Sequence, residues 1–194
     1  MKLTQFLSTM VLLFSAVVSA ESLEVTSKHV FQSLQSQLNE LKRDGRLSET
    51  SVTALVETAL LPHIDKKYFT YKALGKNLAK LNEQERQTFM THLTQRLIKS
   101  YVGPLLKFDN ESFQIVETRY AQSGKTAVTN MKVIGSGRNT SMQTKWRFVQ
   151  ETESWLMYDL VVEGISLLQT QQKELSLQLA KSSVEDVIEK LKKA

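Results

Sequence analysis

The sequence predicts an α+β fold in which helices gather around one antiparallel sheet. Three observations carry that prediction. Apolar residues recur at helical spacing from Glu24 to Leu106, the period changes to two between Ser112 and Val162, and helical spacing returns beyond Gly164 with no internal repeat.

The first helix spans Glu24 to Arg43, with Val25, Phe31, Leu34, Leu38 and Leu41 on one stripe and Asp44-Gly45 as its stop. After Ser48, residues Val52, Leu55, Val56, Ala59 and Leu60 fit the i, i+3, i+4, i+7, i+8 pattern, and Pro62 opens a new segment. Tyr68, Phe69, Tyr71 and Leu74 make a short helix ahead of Gly75. Asn82 and Glu85 form a capping box for the longest helix, whose stripe is Phe89, Leu93, Leu97 and Tyr101. Gly103-Pro104 kinks this helix rather than ending it, because Leu105, Leu106 and Phe108 follow.

Four strands follow, at 113–120, 126–134, 142–150 and 155–162, joined by turns at Ser123-Gly124 and Gly135-Ser136-Gly137 and by the short gap 151–154. In the third, Met142, Thr144, Trp146 and Phe148 point one way while Gln143, Lys145 and Arg147 point the other. The fourth departs from this alternation: Leu160, Val161 and Val162 are apolar on both faces, and Glu163-Gly164 breaks the strand before the next helix. That helix carries the stripe Ile165, Leu168, Leu175 and Leu179, and Ser183 caps a last one containing Val184, Val187, Ile188 and Leu191.

Residues 1–20 read as a secretory signal peptide: Lys2, an apolar run from Phe6 to Val18, then small residues before a cleavage point between Ala20 and Glu21. The run is shorter than the roughly 20 residues that span a bilayer. Residues 21–194 then form a single domain, long enough for a real core. There is no cysteine, so an exported chain of this kind relies on packing and suits a bacterial periplasm. Without the leader, 24 basic residues face 20 acidic ones. The excess is dispersed, which argues against nucleic acid and allows an anionic membrane surface or an acidic partner.

Signals for chemistry are weak. No serine sits in a glycine-flanked elbow, and His29, His63 and His92 have no second ligand at a metal-binding offset. Gly135-Ser136-Gly137 is followed by a strand, so it reads as a hairpin turn rather than a phosphate cradle. Asp159 beside Tyr158 is the one candidate for proton transfer, the basis of an alternative reading as an isomerase- or dehydratase-like enzyme acting on a hydrophobic small molecule. Strict alternation would place these two on opposite faces, which favours a structural role in which Asp159 accepts a hydrogen bond from a neighbouring helix or loop.

Three stretches resemble the MlaC family of periplasmic phospholipid-binding proteins, also called the toluene-tolerance family: LLPHIDKKYFTYKALG (60–75), NEQERQTFMTHLTQRLIKSYVGPLL (82–106) and SWLMYDLVVEGISLLQTQQKEL (154–175). The last is the most specific, with YD, apolar residues, EG, a hydrophobe and Ser at a strand-to-helix junction. The resemblance implies a curved four-stranded antiparallel sheet wrapped by helices, similar to the nuclear-transport-factor-like cone, with an apolar pocket for lipid tails. It implies a non-enzymatic, monomeric carrier without cofactor, whose cargo is a phospholipid with two acyl chains. The implied partners are an inner-membrane ABC transporter complex and an outer-membrane lipoprotein-porin complex, and the implied role is maintenance of outer-membrane lipid asymmetry. Candidate tail contacts follow from helix stripe and strand parity, with the family guiding Tyr101 and Ile165. They are Leu97, Tyr101 and Leu105 on the long helix, Met131 and Val133 on the second strand, and Trp146 and Phe148 on the third. Leu160 and Val162 on the fourth strand, then Ile165 and Leu168, complete the set.

Overall fold

The computed structural model describes residues 22–109, 111–135 and 139–193; the leader expected at 1–20 lies outside the described residues. Five strands form one antiparallel sheet in chain order: β1 (Ser112–Tyr120), β2 (Thr126–Ile134), β3 (Asn139–Val149), β4 (Ser154–Val162) and β5 (Ile165–Ser166). Around it stand α1 (Leu23–Arg43), α2 (Glu49–Leu55), α3 (Lys66–Leu74), α4 (Glu83–Leu106), α5 (Leu167–Leu179) and α6 (Val184–Lys193).

Local chemistry accounts for the helix ends. Ser22, Ser48, Asn82 and Ser166 each accept a backbone N–H from the first turn of the following helix, and Asn82 and Glu85 form the reciprocal box. Helix α4 runs through Pro104 to Leu106, as expected from the apolar residues beyond the proline. After α2 the chain widens into one π turn (Val56–Leu60) and a short 3-10 turn (Leu61–His63) at Pro62. Asp65 then docks α3 on the sheet. Its N–H donates to the Met157 carbonyl at 2.8 Å, its carboxylate accepts from Tyr68 N at 2.9 Å, and it pairs with Arg147.

Two bulges govern which way the sheet's side chains face. In β1 the register skips Val116, so Phe113 and Ile115 share a face with Thr118 and Tyr120. In β4, Lys145 opposes Asp159 while Trp146 opposes Met157, leaving Tyr158 as the extra residue. Trp155 and Met157 therefore share the concave face with Leu160 and Val162. Tyr158 and Asp159 both sit on the face that carries Lys145 and Arg147: Asp159 pairs with Lys145, and Tyr158 meets Tyr68, whose ring lies under Arg147. Strict alternation had put the two residues on opposite faces; the inserted residue is the reason it fails.

A second departure concerns Ile165, expected on the helix. It lies on β5, a two-residue strand additional to the four predicted, paired with Val162 through a hairpin whose central residues Glu163 and Gly164 have φ of 49° and 80°. Two positive φ values in a row are the signature of a type I′ turn, whose twist matches that of the strands.

The concave face is filled at one end and open at the other. At the filled end, Tyr120, Trp155 and Phe148 meet edge to face in sequence with centroid separations of 5.6 and 5.5 Å, and Trp146 is fully buried with its indole N–H donating to Thr144 at 2.8 Å. The main core continues from there into α1, α2 and α4 through Leu38, Val52, Phe89 and Leu93.

Candidate functional site

At the open end the concave face does not close on the helices. A cavity of about 630 Å³ remains, within the roughly 300–1,000 Å³ of ordinary ligand sites. Each wall comes from a different element. Phe31 and Leu34 project from α1, Leu60 from the π turn, and Tyr101, Pro104 and Leu105 from the last turns of α4, with Phe108 just beyond. Phe113, Val133, Met142, Met157, Leu160 and Val162 supply the sheet side, and Ile165 and Leu167 close the edge. Ser100, Glu111, Thr140, Glu163 and Thr170 are the polar residues among the lining. Ile165 is 69% exposed and Val162 37%, although both line the cavity, so the β4–β5 hairpin marks its mouth. Glu163 fixes the hairpin there: its N–H donates to the Ser141 carbonyl at 3.0 Å and its Oε1 accepts from Ser141 N at 2.7 Å.

The eleven sequence-derived contact residues divide by depth. Tyr101, Leu105, Val133, Leu160, Val162 and Ile165 line the cavity. Met131 and Trp146, on the concave face, and Leu97, one turn before Tyr101 on α4, are packed into solid core. Phe148 sits against Trp155 at the filled end, and Leu168 is half-buried outside the cavity wall. Parity identifies a face but not a position along it, which is why correct-facing residues at the filled end entered the set. Met157, Met142, Phe31 and Leu34 line the cavity without having been singled out as contacts. Met142 was legible from its inward parity, whereas Met157 depends on the bulge.

The cavity offers little chemistry. Tyr101 carries the one phenol among the lining residues, and burial, reinforced by the Asp159 charge, pushes its pKa up, so it stays neutral. The Asp159 carboxylate is turned to other work: it accepts the Ser166 hydroxyl at 2.7 Å and Leu168 N at 3.0 Å, and Lys145 Nζ lies 2.9 Å away. It thereby holds the start of α5 to β4, and neither it nor Tyr158 lines the cavity. Among the described residues no group of three or more His, Asp or Glu side chains converges to hold a metal ion, and no helix is long and apolar enough to cross a membrane.

A family model described as MlaC protein matches residues 26–193. The chain belongs to the MlaC family. It is similar to the intermembrane phospholipid transport system binding protein MlaC of Haemophilus influenzae, 23% identical over 169 residues, which cover 85% of this chain and 76% of that protein. Among solved structures it resembles a phospholipid-binding protein from Ralstonia solanacearum determined in complex with a phospholipid. The TM-score is 0.73 at 19% identity, over 88% of this chain and 92% of that one. At that identity the likeness establishes the MlaC fold, a curved antiparallel sheet wrapped by helices around a pocket.

Proposed function

We propose that this MlaC-family chain is a periplasmic phospholipid carrier that holds acyl chains in the cavity and does no catalysis. The single observation that carries this reading is the open-ended apolar cavity, walled by Leu105, Met142, Met157 and Leu160 and lipped by the exposed Val162 and Ile165. The Haemophilus relative is a phospholipid transport protein by name, and the Ralstonia structure holds a phospholipid.

At about 0.8 kcal/mol per methylene, two chains of about 15 carbons lose on the order of 20 kcal/mol on entering water. A pocket as apolar as a bilayer makes exchange with a membrane nearly neutral, so small differences in contact at each docking partner set direction. The head group rests at the mouth, near Ser100, Thr140 and Thr170. The partners of this reading are an inner-membrane ABC transporter complex, which would supply any ATP hydrolysis, and an outer-membrane lipoprotein-porin complex. The leader at 1–20 delivers the chain to the periplasm, and the carrier works as a monomer without cofactor.

Asp159 and Tyr158, the basis of the enzyme alternative, are not among the residues that line the cavity, so a substrate seated there does not meet them. Transfer of a fluorescent two-chain phospholipid from donor to acceptor vesicles tests the proposal. Transfer should rise in proportion to added protein, and no dependence on the protein would refute it.

A further inference from the structure

Between Asp65 and Glu83 the chain has no acidic residue and five lysines, Lys66, Lys67, Lys72, Lys76 and Lys80. All five are exposed, and among the described residues none belongs to an ion pair. Most carboxylates that flank this segment, or lie on elements packed against it, are already paired with a cation, and Glu85 on α4 caps its own helix by accepting Asn82 N at 2.8 Å. Asp65 pairs with Arg147, Asp159 with Lys145, Glu174 with Arg96 at 2.9 Å, and Glu83 with Arg86 at 3.7 Å. Lys173 on neighbouring α5 is exposed and adds to the same sign.

The lysines stand on a rigid base. Phe69, Ala73 and Leu74 bury the inner side of α3, while Tyr68 and Tyr71 lie half-buried on the outer side. Lys67 Nζ is 5.6 Å from the Tyr71 ring centre and Lys72 Nζ 5.3 Å from that of Tyr68, which Arg147 also covers at 4.8 Å. Helix α3 is fixed in turn to α5, where Gln172 Nε2 donates to the Lys72 carbonyl at 3.1 Å.

We propose that the exposed lysines of α3 and of the 3-10 turn that follows it (Gly75–Lys80), from Lys66 to Lys80, dock the protein on an anionic phospholipid bilayer surface, separately from the cavity. Charge complementarity points to an anionic occupant, and residue type selects the lipid surface over an acidic protein. Lysine is depleted from protein–protein interfaces, whereas tyrosine is enriched at the head-group level of membranes and lysine is attracted to anionic lipid. Lysine clusters of this size attract anionic leaflets. None of the exposed large hydrophobic residues lies between 66 and 80, so the contact is electrostatic and reversible. That suits a protein that must leave again.

The test is co-sedimentation of the mature protein with vesicles of equal parts phosphatidylglycerol and phosphatidylcholine, against vesicles of phosphatidylcholine alone, at low and high salt. The wild type should bind the anionic vesicles, lose that binding in high salt and ignore the neutral ones. Removing three of the lysines as Lys67→Gln, Lys72→Gln and Lys76→Gln should weaken binding on the order of 100-fold at low salt. The control Lys190→Gln, Lys192→Gln and Lys193→Gln removes equal charge from α6, where Glu185, Asp186 and Glu189 are interleaved, and should change binding little. Circular dichroism and co-purified lipid should match the wild type in both variants, which keeps this test separate from the carrier reading. Equal loss in the two variants, undiminished binding in the α3 variant, no preference for anionic vesicles, or retention only by an acidic protein would each overturn the proposal.

Discussion

The Asp159 carboxylate accepts the Ser166 hydroxyl at 2.7 Å, and the same hydroxyl caps α5 by accepting Gln169 N at 3.0 Å. One buried carboxylate thus ties the last long strand to the helix that borders the cavity. Asp159→Ala should cost about 3 kcal/mol in urea denaturation, because it strands Lys145 and releases Leu168 N and Ser166 together. Asp159→Asn keeps the shape of the group and should leave lipid transfer at the wild-type rate, whereas an enzyme relying on Asp159 would lose its turnover.

A charge placed deep in the cavity should expel its contents. Leu160→Glu puts a carboxylate among Leu105, Met142 and Met157 with no cation among the lining residues to meet it. Co-purified lipid should fall several-fold while circular dichroism still reports the sheet. Ile165→Glu is expected to be milder, since a residue this exposed at the mouth can keep its charge in water.

Filling the space should act differently from charging it. Val133→Trp occupies the sheet side of the cavity, so it should lower lipid content while thermal stability holds or rises, a combination that simple destabilisation does not produce.

The hairpin that carries Ile165 depends on its glycine. An alanine at 164 meets nothing within 4 Å, yet φ of 80° disfavours any side chain, so Gly164→Ala should cost about 1 kcal/mol by thermal melting.

Much of this architecture was legible in the residues. The capping box at Asn82, the stripe Phe89, Leu93 and Leu97, and the period of two from Ser112 follow from local physics and were placed correctly. What local reasoning lacks is long-range geometry. The bulge at Tyr158 reverses strand parity, and only pairing with β3 reveals it. The step from Leu97, buried in core, to Tyr101, on the cavity wall, is one helical turn; where hollow space begins depends on how α1 and α4 splay over the sheet, which no single stripe encodes. Glu163-Gly164 signalled a sharp turn, and the type I′ hairpin it makes lifts Ile165 off the helix expected to carry it.

Alkaline pH supplies a further check. A tyrosine whose folded pKa lies above its unfolded value stabilises the protein below about pH 10 and loses that contribution as the pH climbs toward the folded value. Burial raises both Tyr101 and Tyr120, the latter to about 12 with help from its hydrogen bonds to Glu24. Stability should therefore fall as pH rises above 10, and Tyr101→Phe should flatten that fall in denaturation midpoints measured across the range.

The most direct measurement is a native mass spectrum of the mature protein purified from the periplasm without detergent. A mass increment matching one two-chain phospholipid, lost in Leu160→Glu, is the expected result. A spectrum of bare protein alone, from material that is folded and freshly isolated, would contradict the claim that the cavity holds lipid.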